Sequence, residues 1–391
     1  MNAHAICFVN AGPLSAASSL RVVGDRIAAI DTLPARGDRV IDLRGERLLP
    51  GLINAHDHLQ FNNFPRTRFR NAHQNVGEWI ADITARKDAD ATLVGAESLD
   101  TESRLLAGGL KNLLSGVTTV AHHDALHPLF DDAVFPVQVL RNYRWTHSLG
   151  LSGEREVVDS HRATPKTWVW IMHAGEGVDA AAAAEFDRLE SLGVLDFRSL
   201  LVHSLAFDAD RLARLAARGA AAVWCPSSNL FLFGRTLDPH ALLAAGRLAL
   251  GCDSRISGAR DLLEEIRIAR ASSTLTDDAL ERLVTSDNAR LLRVTDRGEL
   301  AAGRRADLLV VPAQCRLADL ERSQVRMVMV GGRMLYGDAA LTEGLDARVD
   351  CVPVTVDGRD KLLGRRLTGR LAQSAWREPG LAIPETVWRA A

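Results

Sequence analysis

His56 and His58 flank Asp57 in "PGLINAHDHLQF", residues 50–61. An apolar lead-in, Leu52-Ile53, marks the stretch as the end of a buried strand. Strand side chains alternate, so residues two apart point the same way. Both imidazoles can therefore reach one metal ion while Asp57 faces the other side. Two half-buried structural histidines would fit the same spacing. Further candidates close later apolar runs: His122 and His123 in "GVTTVAHHD", His173 in "TWVWIMH" with Glu176 three residues on, His203 in "LLVH" and Asp253 in "LALGCD". Histidines with one carboxylate form a mixed N/O donor set that suits Zn²⁺ and accepts Fe²⁺ or Mn²⁺. Such a site brings the pKa of a bound water toward neutrality. Asp253 also fits a helix N-cap, because "SRISGARDLLEE" follows it.

These residues converge only if the strands that carry them are parallel and adjacent. Between about 51 and 295 apolar runs alternate with helical patterns. "DAAAAAEFDRLESLG" stops at Gly193, and "DADRLARLAARG" offers Asp208 as N-cap and Gly219 as stop. Repeated strand–helix units predict a parallel sheet with helical cover, here a distorted (β/α)8 barrel whose functional residues sit at the C-terminal strand ends. Only seven strands are legible, and the missing one falls in the gap between residues 150 and 168. Both chain ends are β-rich, with hairpin turns at Gly24-Asp25 and Gly331-Gly332, and predict one small sheet domain made from the two termini.

The bulk numbers narrow the class. A chain of 391 residues can bury a large core, and its net charge of −2 gives no global field for nucleic acid or a membrane surface. Five dispersed cysteines without a CxxC pair read as reduced thiols in a cytoplasmic protein. "MNAHAICFVNAG" lacks the basic and long apolar regions of a signal peptide, and no stretch has the length of a membrane span.

"LLPGLINAHDHL", "GVTTV", "HAGE", "LVHS", "CPSSN", "LGCDS" and "TSDNARLL…GELAAGRRADLLVV" occur in this order over about residues 1–340. Together they resemble the amidohydrolase superfamily, most closely its one-metal, deaminase-like members of the cytosine, guanine and adenosine deaminase and triazine hydrolase type. The resemblance implies a distorted barrel with a β-sandwich built from both ends. It implies His56, His58, His173 and Asp253 as metal ligands, and Asp253 as the base that takes a proton from water. His203 would orient or polarise that water, and Glu176, in the HxxE position, would protonate a ring nitrogen. Attack on a C=N or C=O carbon needs such a base and acid, and two carboxylates in different environments can divide the roles. Binuclear members use a carboxylated lysine at a strand end. The four lysines, Lys87, Lys111, Lys166 and Lys361, include none so placed.

The loop after His58 is rich in arginine (66, 68, 70) and aromatics, and could recognise a planar or anionic ligand. Phe61, His122, Asn229 and Arg235 are the candidate substrate contacts. Of His122 and His123 one faces the mouth and the other the helical layer. The domain reading is a β-sandwich from 1–50 and 297–362, a catalytic barrel over 51–296, and a helical extension over 363–391. In that extension "DKLLGRRLTGRLAQS" is a basic amphipathic pattern suited to packing on the barrel or on a second subunit, which leaves a homodimer open. The expected function is hydrolysis of a C–N bond in a small nitrogen-containing substrate, with deamination as its leading form. Hydrolysis of a ring amide, as in imidazolone- or triazine-type members, is the alternative within enzymes. A catalytically silent scaffold is the alternative outside them.

Overall fold

The structure, a computed structural model, describes residues 5–342 and 350–385. The outermost parts of the two terminal segments, 1–4 and 386–391, and the stretch 343–349 lie outside the described residues. Eight parallel strands carry the middle of the chain: β1 (Leu52–Asp57), β2 (Val117–His122), β3 (Gln138–Val139), β4 (Tyr143–Thr146), β5 (Val169–Ala174), β6 (Ser199–His203), β7 (Ala221–Trp224) and β8 (Leu248–Leu250). They form two parallel sections, β1-β2-β3 and β4-β5-β6-β7-β8, each in chain order. Strands such as β1, β2 and β5 are buried along their whole length, which is why they read as continuous apolar runs rather than alternating ones.

The two sections approach one another at both seams. Past β8, the Asp253 amide donates to the His56 carbonyl at 3.0 Å. Gly251 makes that approach feasible, since a Cβ there would lie 2.6 Å from the His56 nitrogen. At the other seam, past β2, His123 Nε2 donates to the Thr146 carbonyl of β4 at 2.8 Å, and the Tyr143 hydroxyl of β4 donates to the Asp124 carbonyl at 3.2 Å.

The strand count of seven is corrected here. The extra strand is β3, only two residues long, and it lies between β2 and β4 rather than between residues 150 and 168. Pro136, just before it, has no N–H to give a ladder, so the apolar run around it leaves no extended strand pattern. The region from 150 to 168 instead holds helix α4 (Leu149–Ala163). Three helices stand between β1 and β2: α1 (Val76–Arg86), α2 (Ala91–Glu97) and α3 (Thr101–Leu114). Their N-caps are Asn75, Asp90 and Asp100, whose side chains accept backbone N–H groups of the first turn. The helices at Ala180–Ser191 and Ala209–Ala217 are followed by Gly193 and Gly219, both at positive φ, as the stop signals imply.

The termini form two further sheets. Ile6–Val9, Leu20–Val23, Arg26–Ile30 and Arg39–Asp42 make one of four strands; Arg47–Pro50 joins strands from residues 308–382 in one of seven. The strand Leu308–Val311 shows how they pack. Leu308 and Val310 share a core with Phe8, Leu20 and Ile27 of the other sheet, while Leu309 and Val311 join the core of the parallel section. Period-two alternation thus fastens one sheet to both neighbours. The helical reading of "DKLLGRRLTGRLAQS" is corrected in part. Arg359–Gly364 is a strand, the helix spans Arg365–Gln373, and Leu381–Ala382 returns to pair with the strand Cys351–Val356. The apolar Leu362 and Leu363 satisfy a strand of that sheet before the helical period can extend to them.

Candidate metal centre and active-site cavity

The strand ends converge as alternation requires. Ligating atoms of His56, His58, His123 and His173 lie within 4.8 Å of one another, and those of His56, His203 and Asp253 form a second such group that shares His56. His58 Nε2 is 3.3 Å from His173 Nε2, and His56 Nε2 is 3.7 Å from Asp253 Oδ1. Burial, followed by the neighbouring imidazoles, holds His56 and His173 well below the usual histidine pKa. Neutral rings with open lone pairs are what a metal needs.

Donor chemistry fits a cation. Both ring nitrogens of His56 and Nδ1 of His58 are buried without a hydrogen-bond partner among the described residues. Buried polar atoms are ordinarily paired, so these orphans are costly unless a ligand takes them. His173 is already oriented: its Nδ1 donates to the His147 carbonyl at 3.0 Å, which leaves the Nε2 lone pair toward His58. His123 is similarly held, with Nε2 on the Thr146 carbonyl at 2.8 Å and its ring stacked 4.2 Å from that of His173.

Two site residues adopt left-handed backbone. His203 has φ 71° and Asp253 has φ 55°, and neither is glycine. Such conformations cost about 1–3 kcal/mol and persist where surrounding structure over-determines them. For Asp253 the constraints are visible. Its Oδ1 accepts the Ser254 amide at 2.7 Å, its Oδ2 accepts the Ser257 hydroxyl at 2.9 Å, and its carbonyl accepts Lys111 Nζ at 2.7 Å. His203 donates from Nδ1 to Asn229 Oδ1 at 2.8 Å, so its Nε2 faces Glu176 Oε1 at 3.3 Å.

The two carboxylates differ electrostatically. Burial, and then the nearby Asp253, push the Glu176 carboxyl well above its ordinary range. Burial acts upward on Asp253 too, but His58 and His203, with the Ser254 and Ser257 hydrogen bonds, hold it below the usual aspartate value. The two carboxyl groups are thus shifted in opposite directions.

These groups open into a cavity of about 430 Å³. His58, His173, Glu176, His203 and Asp253 lie at its floor and Phe61 on its wall. The other expected substrate contacts are corrected. His122 faces the helical side, accepting the Leu59 amide at 3.3 Å and packing on Phe130, while His123 turns toward the metal cluster. Asn229 sits in the helix Pro226–Phe233, not at a strand end, and is occupied by His203. Arg235 is exposed and does not line the cavity.

The loop arginines do not serve an anion there either. Arg66 binds the carbonyls of Ser257 and Ser227, Arg68 that of Phe231, and Arg70 the carboxylate of Asp82. Sequence reasoning missed the α1 wall, although Val76, Trp79, Ile80 and Ile83 carry the i, i+3, i+4, i+7 signature of an apolar helix face.

Residues 157–335 match the amidohydrolase family model. The chain is 33% identical over 184 residues to the 8-oxoguanine deaminase of Pseudomonas aeruginosa, an alignment that spans 41% of this chain and 40% of that protein. It is 26% identical over 336 residues to the aminodeoxyfutalosine deaminase of Deinococcus radiodurans, spanning 68% of this chain and 78% of the relative. Among solved structures, an adenosine deaminase from Xanthomonas campestris with bound zinc superposes with TM-score 0.65 at 20% identity, over 81% of this chain and 87% of that one. A triazine hydrolase variant superposes with TM-score 0.69 at 19% identity, over 85% and 94%. Residues 157–335 thus match the amidohydrolase family, and the two curated relatives, one of which the chain covers to only 40% of its length, are deaminases.

Proposed function

We propose that the chain is a metal-dependent hydrolase that cleaves a C–N bond of a small nitrogen heterocycle and releases ammonia. The observation that carries this reading is the convergence, in one cavity, of His58, His173, Glu176, His203 and Asp253, with His56 buried directly against them. His56, His58, His173 and Asp253 would hold one divalent ion, most naturally Zn²⁺ for imidazole and carboxylate donors, with Fe²⁺ and Mn²⁺ as alternatives. Bound there, the ion would supply Lewis acidity, making water a competent nucleophile near neutral pH.

The chain's own groups do the rest. Asp253 takes a proton from the attacking water. His203, fixed by Asn229, points Nε2 at that water and orients it. Glu176 gives a proton to the ring nitrogen next to the attacked carbon, and a proton then passes to the departing amine. Water adds to the carbon, ammonia leaves and a carbonyl remains, so the atoms balance.

The same reading takes the two parallel sections as a distorted (β/α)8 barrel over 51–296, and the terminal sheets as a β-sandwich from 1–50 and 297–362. Segment 363–391 is then an extension that completes both. The five free cysteines, Cys7, Cys225, Cys252, Cys315 and Cys351, fit the cytoplasmic setting read from the sequence. Among the described residues no helix is long and apolar enough to cross a membrane.

The test is metal content of purified protein together with ammonia release across aminopyrimidines, purines and cyclic ureas. One bound metal per chain and ammonia from a panel member support the proposal. Ring opening without ammonia would replace deamination with ring-amide hydrolysis. Metal content near zero, unchanged in His56→Ala, would sink the enzyme reading.

A further inference from the structure

The cavity has two unlike ends. Its floor carries the polar cluster described above, and the outward wall is apolar. Val76, Trp79, Ile80 and Ile83 form one face of α1, yet no residue of that helix is buried. An amphipathic helix normally buries this face against the core. Here Trp79 and Ile83 pack in part on the cluster of Phe64, Leu93, Ala96 and Ile256, Val76 packs in part on that of Leu205, Leu232 and Phe233, and these residues with Ile80 also line the cavity. Leu151, at the start of α4, also lines the cavity and is 60% exposed. Trp79 uses its indole N–H on the Thr67 carbonyl at 3.0 Å, so it offers a guest only apolar surface. The helix is not a loose flap, because its first turn is fastened to the floor: the Val76 amide donates to the Glu176 carbonyl at 3.0 Å, and Val178 donates to the Gln74 carbonyl at 2.7 Å.

Charge points the same way. Among the described residues no guanidinium lines the cavity and the one lysine that does is the exposed Lys87, while the carboxylates of Glu97 and Asp124 line it as well. A carboxylate or phosphate on the substrate would be desolvated against apolar side chains without a partner, which is strongly unfavourable.

We infer that the substrate is an uncharged aminated heterocycle bearing a branched alkyl or aryl arm, with the arm lying on Ile80, Ile83, Trp79 and Leu151. This rests on the C–N hydrolase reading and names the substrate class for it.

The test uses zinc-loaded protein and three 4-aminopyrimidines that differ at one ring position: unsubstituted, isobutyl-substituted and carboxymethyl-substituted. Ammonia release gives kcat/KM for each, and calorimetric titration of Glu176→Gln gives affinity without turnover. The isobutyl compound is expected to exceed the unsubstituted one by at least about tenfold, the effect of roughly two buried methylenes. It is expected to exceed the carboxymethyl compound by about a hundredfold or more, and Ile80→Lys to shrink that second ratio.

Equal or better use of the carboxymethyl compound, with ammonia released, overturns the inference and leaves the hydrolase reading intact. Preferential binding of the isobutyl compound, with no ammonia from any member, upholds the cavity assignment and counts against deamination. Failure of the isobutyl compound to bind, or ratios unmoved in Ile80→Lys, also overturns the inference.

Discussion

Lys111 Nζ lies 3.2 Å from Asp57 Oδ2 and donates at 2.7 Å to the carbonyl of Asp253. The ammonium thus bridges, from behind, the two segments that present His56, His58 and Asp253 to the cavity. Asp57 is further satisfied by Asn112 at 2.8 Å and Asn62 at 2.8 Å. Burial is the largest influence on Lys111 and opposes its charge, but Asp57 and Cys252 together outweigh it and its pKa is raised. The lysine is a buried brace, with its partner on the opposite side of β1 from the imidazoles.

Replacing Lys111 with Met is expected to cost about 3–5 kcal/mol, because the fully buried Asp57 charge loses its partner. Urea denaturation of metal-free protein checks this. A loss under about 1 kcal/mol would show that the amide groups around Asp57 suffice.

His56→Ala is expected to abolish tight metal retention, since His56 belongs to two of the three ligating groups among the described residues and is the one member of the imidazole cluster that also groups with Asp253. Metal content after gel filtration, with circular dichroism to confirm folding, reads it out. His122→Ala, which alters a residue on the helical side, is expected to leave metal content unchanged while lowering stability through the lost packing on Phe130.

Glu176→Gln is expected to lower ammonia release by about 10²–10⁴-fold with the metal retained, the usual range for loss of a general acid–base group. Loss of metal in this variant would instead make Glu176 a ligand.

Glu378 joins the C-terminal segment to the loop that follows Asp253. Both its oxygens accept from Arg255, at 2.8 Å each, and it also pairs with Arg322. Glu378 and Arg322 are buried, so Glu378→Ala leaves two guanidinium groups short of a partner and is expected to cost about 3 kcal/mol or more. A thermal midpoint within a degree or two of wild type would show the segment to be dispensable.

Asp82 is held down to about 2, first by its Arg70 hydrogen bonds and then by His73. A depressed folded pKa contributes stability above the unfolded value, near 3.9, and that contribution fades as pH falls toward 2. Urea midpoints of wild type and Arg70→Ala are therefore expected to differ at pH 5 and to converge near pH 2. A constant gap would assign the Arg70 effect to packing.

The sequence by itself determined the candidate donor residues at strand ends and the strand–helix alternation that brings them together. Each follows from local rules: two-residue alternation in HxH, apolar runs ending in polar residues, and caps such as Asp208 and Gly219. Tertiary structure decided which of His122 and His123 turns inward, because one register choice on β2 settles both and nothing in the dipeptide fixes it. It decided that Asn229 orients His203 rather than a substrate, since that depends on a helix starting at Pro226 across from β6. It also decided that the loop arginines are spent on carbonyls and on Asp82, and that an apolar helix face lines a cavity as well as packing on the core. Those outcomes depend on which distant groups meet, and local spacing carries no record of that.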